Sequence, residues 1–164
     1  MSPVRVIGVG TPCGDDRAGL EIAARLGAAP PRGCEVVATE RPGVELIDLL
    51  NRNGATIVLD AVRSGAAAGR SSRGRSWMVP AARLALSSHG IGIAEALALA
   101  RALGQCPHGR LIGIEAAAGV MRAGDPLGAE VAAAIGAALQ RVHAWIGRYR
   151  GPGVRRLAGG DRDD

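Results

Sequence analysis

The sequence predicts an α/β domain with a mainly parallel β-sheet and helices on both faces of that sheet. Short apolar runs rich in β-branched residues alternate along the chain with segments whose apolar residues recur at helical spacing. This alternation is typical of parallel strands joined by crossover helices. The 164 residues suit one domain, which we place at residues 1–149. We expect residues 150–164, which are rich in Gly, Arg and Asp, to form a disordered tail.

The first half of the chain is predicted to contain three strands and two helices. The β-branched run Val4–Val9 predicts a buried strand that leads into Gly10. The acidic pair Asp15-Asp16 is favourably placed at the start of the first helix. The predicted elements are, in order, a strand at Val4–Val9, a helix at Ala18–Leu26, a strand at Glu35–Ala38, a helix at Val44–Leu50 and a strand at Thr56–Leu59 that ends at Asp60.

The second half of the chain is predicted to add two strands and two helices. Arg63–Arg75 has no packing pattern, so we expect a loop there. Pro80 ends the strand that follows, and Gly104 closes the next helix. The predicted elements are, in order, a strand at Ser76–Val79, a helix at Ile91–Leu103, a strand at Leu111–Ile114 that ends at Glu115, a loop at Gly119–Gly128 and a helix at Ala129–Arg148.

Composition argues against several classes of protein. No apolar run approaches the roughly 20 residues of a membrane-spanning helix, and Val6–Val9 is too short for the apolar region of a signal peptide. We therefore expect a soluble, cytoplasmic protein. The net charge is +5, but the 20 basic residues are all arginines spread along most of the chain, and one Tyr and two Trp offer little surface for stacking bases. We expect no nucleic-acid partner.

Three polar residues follow predicted strands at their carboxyl ends. Asp16 lies just past the first strand, Asp60 ends the third, and His89 stands at the start of the helix after the fourth. Ligands of parallel α/β sheets bind at this edge. Two carboxylates and an imidazole suit Zn²⁺, Ni²⁺ or a similar ion and leave positions free for substrate. The sequence therefore predicts a metal-type site, although each residue alone also fits a structural role, as a helix cap or a solvated strand end.

Three other kinds of site remain open on weaker grounds. Gly8-Val9-Gly10 before a helix is similar to a dinucleotide fingerprint, but Cys13 stands where its third glycine belongs. A Ser-His-Asp triad could combine Ser87-Ser88 with His89 and Asp60, but no G-x-S-x-G elbow is present. Cys13 could also act as a nucleophile with His89 as its base.

The stretches around the candidate residues have specific spacings. They are Gly8–Gly10 with Gly14–Leu20, Val58–Gly65, Ser87–Leu97 and Leu111–Glu115. Together they strongly resemble the hydrogenase maturation endopeptidases, over about residues 4–145. The resemblance implies a three-layer α/β/α sandwich of the phosphorylase/hydrolase-like type, with a mainly parallel, mixed five-stranded sheet.

The resemblance also implies an activity and a partner. Family members remove a short C-terminal extension from the large-subunit precursor of [NiFe]-hydrogenase after nickel has been inserted. The implied nickel contacts are Asp16, Asp60 and His89, with Asp16 or Asp60 as a candidate general base. Nickel would arrive with the precursor, so we expect no permanently bound cofactor, and we expect a monomer. The alternative is a non-catalytic checkpoint protein of the same fold that binds nickel or the nickel-loaded precursor.

The chain departs from the family pattern in two loops. The first loop usually contains Gly-Asn, whereas this chain has Gly10-Thr11 and a loop about one residue shorter. The loop after the second strand usually carries a Gly-Gly-Thr-like run, whereas this chain has Thr39–Pro42, and Gly43 alone fits. The altered first loop predicts a different precursor or a weaker activity.

Overall fold

The computed structural model describes residues 3–41, 43–50, 54–74, 92–103 and 108–150. A 3-10 helix, Gly14–Arg17, lies between the first strand and the first α-helix. The elements are, in order, β1 (Val4–Val9), α1 (Ala18–Ala28), β2 (Cys34–Thr39), α2 (Val44–Leu50), β3 (Ala55–Val62), β4 (Ser71–Gly74), α3 (Ile93–Ala102), β5 (His108–Glu115) and α4 (Ala129–Arg150).

The five strands form one mixed sheet in the order β2-β1-β3-β5-β4. Four of them run parallel, and β4 pairs with β5 in the antiparallel sense at one edge. Gly8 of β1 pairs with Leu59 of β3, so the carboxyl ends of these two strands lie at the same edge of the sheet. The predicted α/β fold with a mainly parallel, mixed sheet is confirmed.

Apolar side chains cover both faces of the sheet and create three layers. On one face, α1 and α4 pack against the strands through fully buried residues such as Ile22 and Ile135. On the other face, α2 and α3 do so through Leu46 and Leu97. β1 is buried along its whole length because both faces of the strand are covered, and its residues are apolar except Arg5, which pairs with Glu35. The core is therefore divided by the sheet into two clusters, one under each pair of helices.

Two glycines let α1 approach the sheet closely. A Cβ atom on Gly8 of β1 would overlap the carbonyl oxygen of Gly19 in α1. A Cβ atom on Gly19 would overlap the carbonyl oxygens of Val9 and Leu59. The start of α1, and the 3-10 helix before it, are therefore held against the ends of β1 and β3.

One predicted boundary at the carboxyl edge is wrong, whereas the predicted start of α1 at Ala18 is confirmed. β3 continues to Val62, so Asp60 lies within the strand and does not end it. The extension occurs because β3 keeps its pairing with β5 as far as Val62 opposite Glu115. Asp15 and Asp16 belong to the 3-10 helix, and α1 is preceded by Arg17, which makes no side-chain capping bond. Asp16 therefore does not cap α1.

The strand β4 lies inside the segment that the sequence predicts as a loop. Its residues Ser71–Gly74 have no apolar alternation, and they form a strand through backbone pairing with β5, from Ser71 opposite Ile114 to Gly74 opposite Leu111. An edge strand can be stabilised in this way without a hydrophobic pattern. The strand predicted at Ser76–Val79 lies outside the described residues.

The remaining elements agree with the sequence within a few residues. α4 extends to Arg150, two residues past its predicted end. Of the tail predicted at residues 150–164, Arg150 belongs to α4. Residues 151–164 lie outside the described residues, so the domain limits stay a prediction. None of the helices in the described part of the chain combines the length and apolarity needed to cross a bilayer.

Candidate active site

Two of the three candidate ligands lie at the carboxyl edge of the sheet. Asp16 is in the 3-10 helix that follows β1, and Asp60 is in β3, one residue after the Leu59 that pairs with Gly8. The 3-10 helix contacts β3 directly. The third candidate, His89, lies outside the described residues. The structure thus brings Asp16 and Asp60 to one place.

The raised pKa of Asp60 indicates that its carboxylate interacts with that of Asp16. Burial raises the pKa of Asp60 well above its ordinary value of 3.8, because water no longer solvates the charged form fully. The nearby charge of Asp16 raises the pKa of Asp60 further, and a hydrogen bond from the backbone of Ala61 lowers it in part. A buried acid beside a second acid is a common arrangement at catalytic and metal sites.

Asp16 is held in place by Thr11 in the preceding loop. The backbone N–H of Thr11 donates to Oδ2 of Asp16 over 2.9 Å, and the Thr11 hydroxyl donates to the same oxygen over 2.5 Å. The N–H of Asp16 itself donates to the carbonyl oxygen of Cys13 over 3.0 Å. The loop between β1 and the 3-10 helix is therefore closed by bonds at both ends.

Asp15 has a different role from its neighbour. Its carboxylate is 4% exposed, and it accepts hydrogen bonds from the backbone N–H groups of Ala117 over 2.8 Å and Gly128 over 2.7 Å. These donors lie after β5 and just before α4. Asp15 thus ties the 3-10 helix to the loop after β5. Sequence reasoning missed this role, because nothing near Asp15 in the chain indicates partners so distant.

Glu115 is a second buried carboxylate that organises this edge. Its Oε1 accepts hydrogen bonds from the N–H groups of Ser64, Gly65 and Ala66, and its Oε2 accepts one from the Ser64 hydroxyl. The residue is 2% exposed. It therefore fixes the course of the chain directly after β3. The sequence identified Glu115 as the end of a strand and gave it no role.

The first loop also rests on the loop after β5. The N–H of Gly14 donates to the carbonyl oxygen of Asp125, and the N–H of Gly124 donates to that of Pro12. Cys13 forms an isolated antiparallel bridge with Ala123. Together these backbone contacts join the loop that precedes Asp16 to the loop after β5.

The other candidate sites receive no support from this geometry. A dinucleotide pyrophosphate would meet the carboxylates of Asp15 and Asp16 after the first strand, where a bound phosphate needs backbone N–H groups and no negative charge. Cys13 is a free, half-buried thiol. Its proposed base His89, and the serines of the Ser87-Ser88-His89 stretch, lie outside the described residues.

The described residues can be compared with the ligand set that a metal ion needs. Within them, no group of three or more His, Cys, Asp or Glu side chains is arranged to hold an ion. Asp16 and Asp60 contribute carboxylate oxygens, which suit divalent cations, and a cation between them would relieve the repulsion that raises the pKa of Asp60. The donor set therefore fits an ion whose other ligands come from elsewhere in the chain or from a bound partner.

Comparison with known families decides the class of the protein. The profile of a family described as hydrogenase maturation protease matches residues 29–145, which is more than half of the chain. The chain belongs to this family. It is therefore an endopeptidase, a hydrolase that acts on peptide bonds. The matched range includes Asp60 and His89, whereas Thr11 and Asp16 lie before it.

Solved structures of maturation proteases share the fold over nearly the whole domain. The hydrogenase maturating endopeptidase HybD from E. coli is 27% identical, with 90% of this chain and 94% of that chain covered and a TM-score of 0.76. An endopeptidase from Escherichia coli, solved in solution, is 26% identical over 90% of this chain and 94% of that chain, with a TM-score of 0.79.

An archaeal structure agrees with these two. A hydrogenase 2 maturation peptidase from Thaumarchaeota archaeon SCGC_AB-539-E09 is 26% identical, with coverage of 88% of this chain and 98% of that chain and a TM-score of 0.61. A comparison with curated proteins gave no match. Each of these three structures covers 88–90% of this hydrogenase maturation protease, whereas the family profile begins at residue 29.

Proposed function

We propose that this protease removes the C-terminal extension of a [NiFe]-hydrogenase large-subunit precursor that already carries nickel. The observation that carries the proposal is the pairing of Asp16 with the partly buried Asp60, whose pKa is raised by burial and by the charge of Asp16. Membership in the maturation protease family gives the type of bond that is cut. The paired carboxylates suggest how a metal-loaded substrate is distinguished from an empty one.

The distinction follows from the charges at the site. Without a cation, ionisation of both carboxylates is unfavourable, since two like charges are held close together at a partly buried place. A nickel ion carried by the precursor removes that repulsion when the precursor docks. We propose His89 as the third contact from this chain, so that ligands from the precursor complete the coordination of the ion. Nickel is then part of the substrate, and the protein needs no resident metal.

Peptide hydrolysis requires a base that takes a proton from the attacking water. We propose that Asp60 has this role, because burial, the larger cause of its raised pKa, persists after nickel has removed the repulsion from Asp16. A general base works best when its pKa lies closer to the working pH than that of an ordinary carboxylate. The pKa of Asp60 is raised in that direction. Asp16, held by two hydrogen bonds from Thr11, then serves as the fixed contact of the substrate's ion.

The test is a processing assay followed by mass spectrometry. The purified protease is mixed with nickel-loaded precursor and, separately, with nickel-free precursor, and the mass of the large subunit is followed with time. We expect loss of the extension from the loaded precursor alone. A stable complex without any loss of mass would contradict the proposal and would support the checkpoint function. Equal processing of both precursors would contradict nickel recognition.

A further inference from the structure

One oxygen of Asp16 is fully used by hydrogen bonds from Thr11. Both the backbone N–H and the hydroxyl of Thr11 donate to Oδ2. A carboxylate oxygen has two lone pairs in the plane of the group, so two donors occupy both of them. Within the described residues, no hydrogen bond reaches Oδ1 of Asp16. Oδ2 of Asp16 therefore accepts two hydrogen bonds, whereas Oδ1 accepts none within the described residues.

Glycines flank Thr11 in the loop that holds these groups, and the backbone packs closely there. Gly10 has a φ of +153°, and a Cβ atom there would overlap the carbonyl oxygen of Asp16. Gly14 has a φ of +50° and donates its N–H to Asp125. The hydroxyl of Thr11 is its one side-chain group that bonds the Asp16 carboxylate, in addition to the backbone N–H.

We propose that Thr11 is a positioning residue, which fixes Oδ2 of Asp16 so that Oδ1 is the oxygen presented to the metal ion of the substrate. The inference rests on the proposed function, because it takes Asp16 to be a contact of that ion. Hydrogen bonds to a ligating carboxylate commonly orient it, and their loss weakens metal binding by about 10–100-fold. Thr11 does not itself touch the ion.

The key comparison is between two substitutions of Thr11. Thr11→Val keeps the size of the side chain and the backbone bond but removes the hydroxyl, whereas Thr11→Ser keeps the hydroxyl. Ser64→Ala is the matched control, because it also removes a hydroxyl that donates to a carboxylate, that of Glu115, in a loop at the same edge of the sheet. A purely structural role of Thr11 would make Thr11→Val behave as this control does.

Two measurements are made on each protein, together with its melting temperature. Isothermal titration with Ni²⁺ alone gives the affinity of the isolated protease, and cleavage of nickel-loaded precursor gives KM and kcat. For Thr11→Val we expect about tenfold weaker Ni²⁺ binding and a raised KM, with a melting temperature close to that of Ser64→Ala. Thr11→Ser should restore both values to within about threefold of the wild type, because its hydroxyl can make the same charge-assisted bond.

The possible outcomes separate the two proposals. If the wild type binds Ni²⁺ and cleaves the loaded precursor but Thr11→Val does so equally well, the role of Thr11 is wrong and the proposed function stands. The role of Thr11 is also wrong if Thr11→Ser is as impaired as Thr11→Val. If the wild type neither binds Ni²⁺ nor cleaves the precursor, the proposed function fails and the role of Thr11 fails with it.

Discussion

Asp60 lies beside Asp16 at the carboxyl edge of the sheet, where burial first and the charge of Asp16 second raise the pKa of Asp60. A protein selected for stability alone would gain from a neutral side chain at this position. The pair is thus a local weakness of the fold that a bound cation would remove, and this property can be measured.

The first prediction concerns stability and pH. Because the pKa of Asp60 is raised in the folded state, this group favours folding below its ordinary pKa of 3.8, and that contribution is lost as pH rises through the raised value. Asp60→Asn, which cannot ionise, should therefore unfold at higher denaturant concentration than the wild type at pH 7. The difference should disappear near pH 3. Urea unfolding at both values measures it, and an Asn variant less stable at pH 7 would contradict the pKa shift.

The second prediction concerns Asp15, the neighbour of Asp16 whose hydrogen bonds were not predicted from the sequence. Asp15→Ala would leave the N–H groups of Ala117 and Gly128 without their buried acceptor, at a cost of about 3 kcal/mol in the free energy of unfolding. Glu21→Ala is the control, since the exposed pair of Glu21 with Arg25 contributes about 0.5 kcal/mol or less. Equal losses in the two variants would show that the Asp15 bonds do not form.

The third prediction concerns the loop held by Glu115. Glu115→Gln replaces one acceptor oxygen with an NH₂ group and removes the charge, so we expect a loss of about 2 kcal/mol in stability. Hydrogen exchange at the amides of Ser64–Ala66 should become faster than in the wild type. The exposed Glu40→Gln serves as the control. Unchanged exchange at these amides would mean that the carboxylate does not hold the loop.

The fourth prediction tests the close contact of α1 with the sheet. Gly19→Ala places a methyl group onto the carbonyl oxygens of Val9 and Leu59, so it should destabilise the fold by about 3 kcal/mol. Gly136→Ala in α4 has open space around the added methyl group and should stabilise by about 1 kcal/mol through helix propensity. Thermal unfolding of both variants measures these changes in stability. A tolerated Gly19→Ala would contradict the close approach that positions Asp16.

The fifth prediction concerns His89, which is assigned to the site from the sequence alone. We expect His89→Ala to abolish processing of the nickel-loaded precursor and to leave the far-ultraviolet circular dichroism spectrum and melting temperature unchanged. The reason is that its stretch, Ser87–Gly90, follows a predicted strand at the edge where Asp16 and Asp60 lie. Normal processing by this variant would remove His89 from the site.

The sequence predicted the layers of the fold and the sheet edge at which Asp60 lies better than it predicted the edge strand and the strand ends. Runs of mostly apolar residues such as Val4–Val9 indicate burial, because both faces of a central parallel strand are covered. The edge strand Ser71–Gly74 escaped prediction, since backbone pairing with β5 stabilises it and leaves no side-chain pattern. Asp60 was placed correctly at the carboxyl edge, although β3 continues past it.

The roles of individual carboxylates were harder to predict. Asp16 and Asp15 are adjacent and chemically identical, yet one faces Asp60 and the other is buried among backbone donors. Those donors are separated from Asp15 by 102 and 113 positions, so only the folded chain shows them. Thr11 lies five positions before Asp16, and a local hydrogen bond of this kind could have been proposed from the sequence.

The most direct test of the paired-carboxylate account is the processing rate of Asp60→Asn. The nickel-loaded precursor is incubated with the variant at pH 7, and the mass of the large subunit is followed beside a wild-type reaction. We expect a variant that is more stable than the wild type and yet at least about 100-fold slower, because the base is lost while the fold is relieved of a buried charge. Processing at the wild-type rate would contradict it.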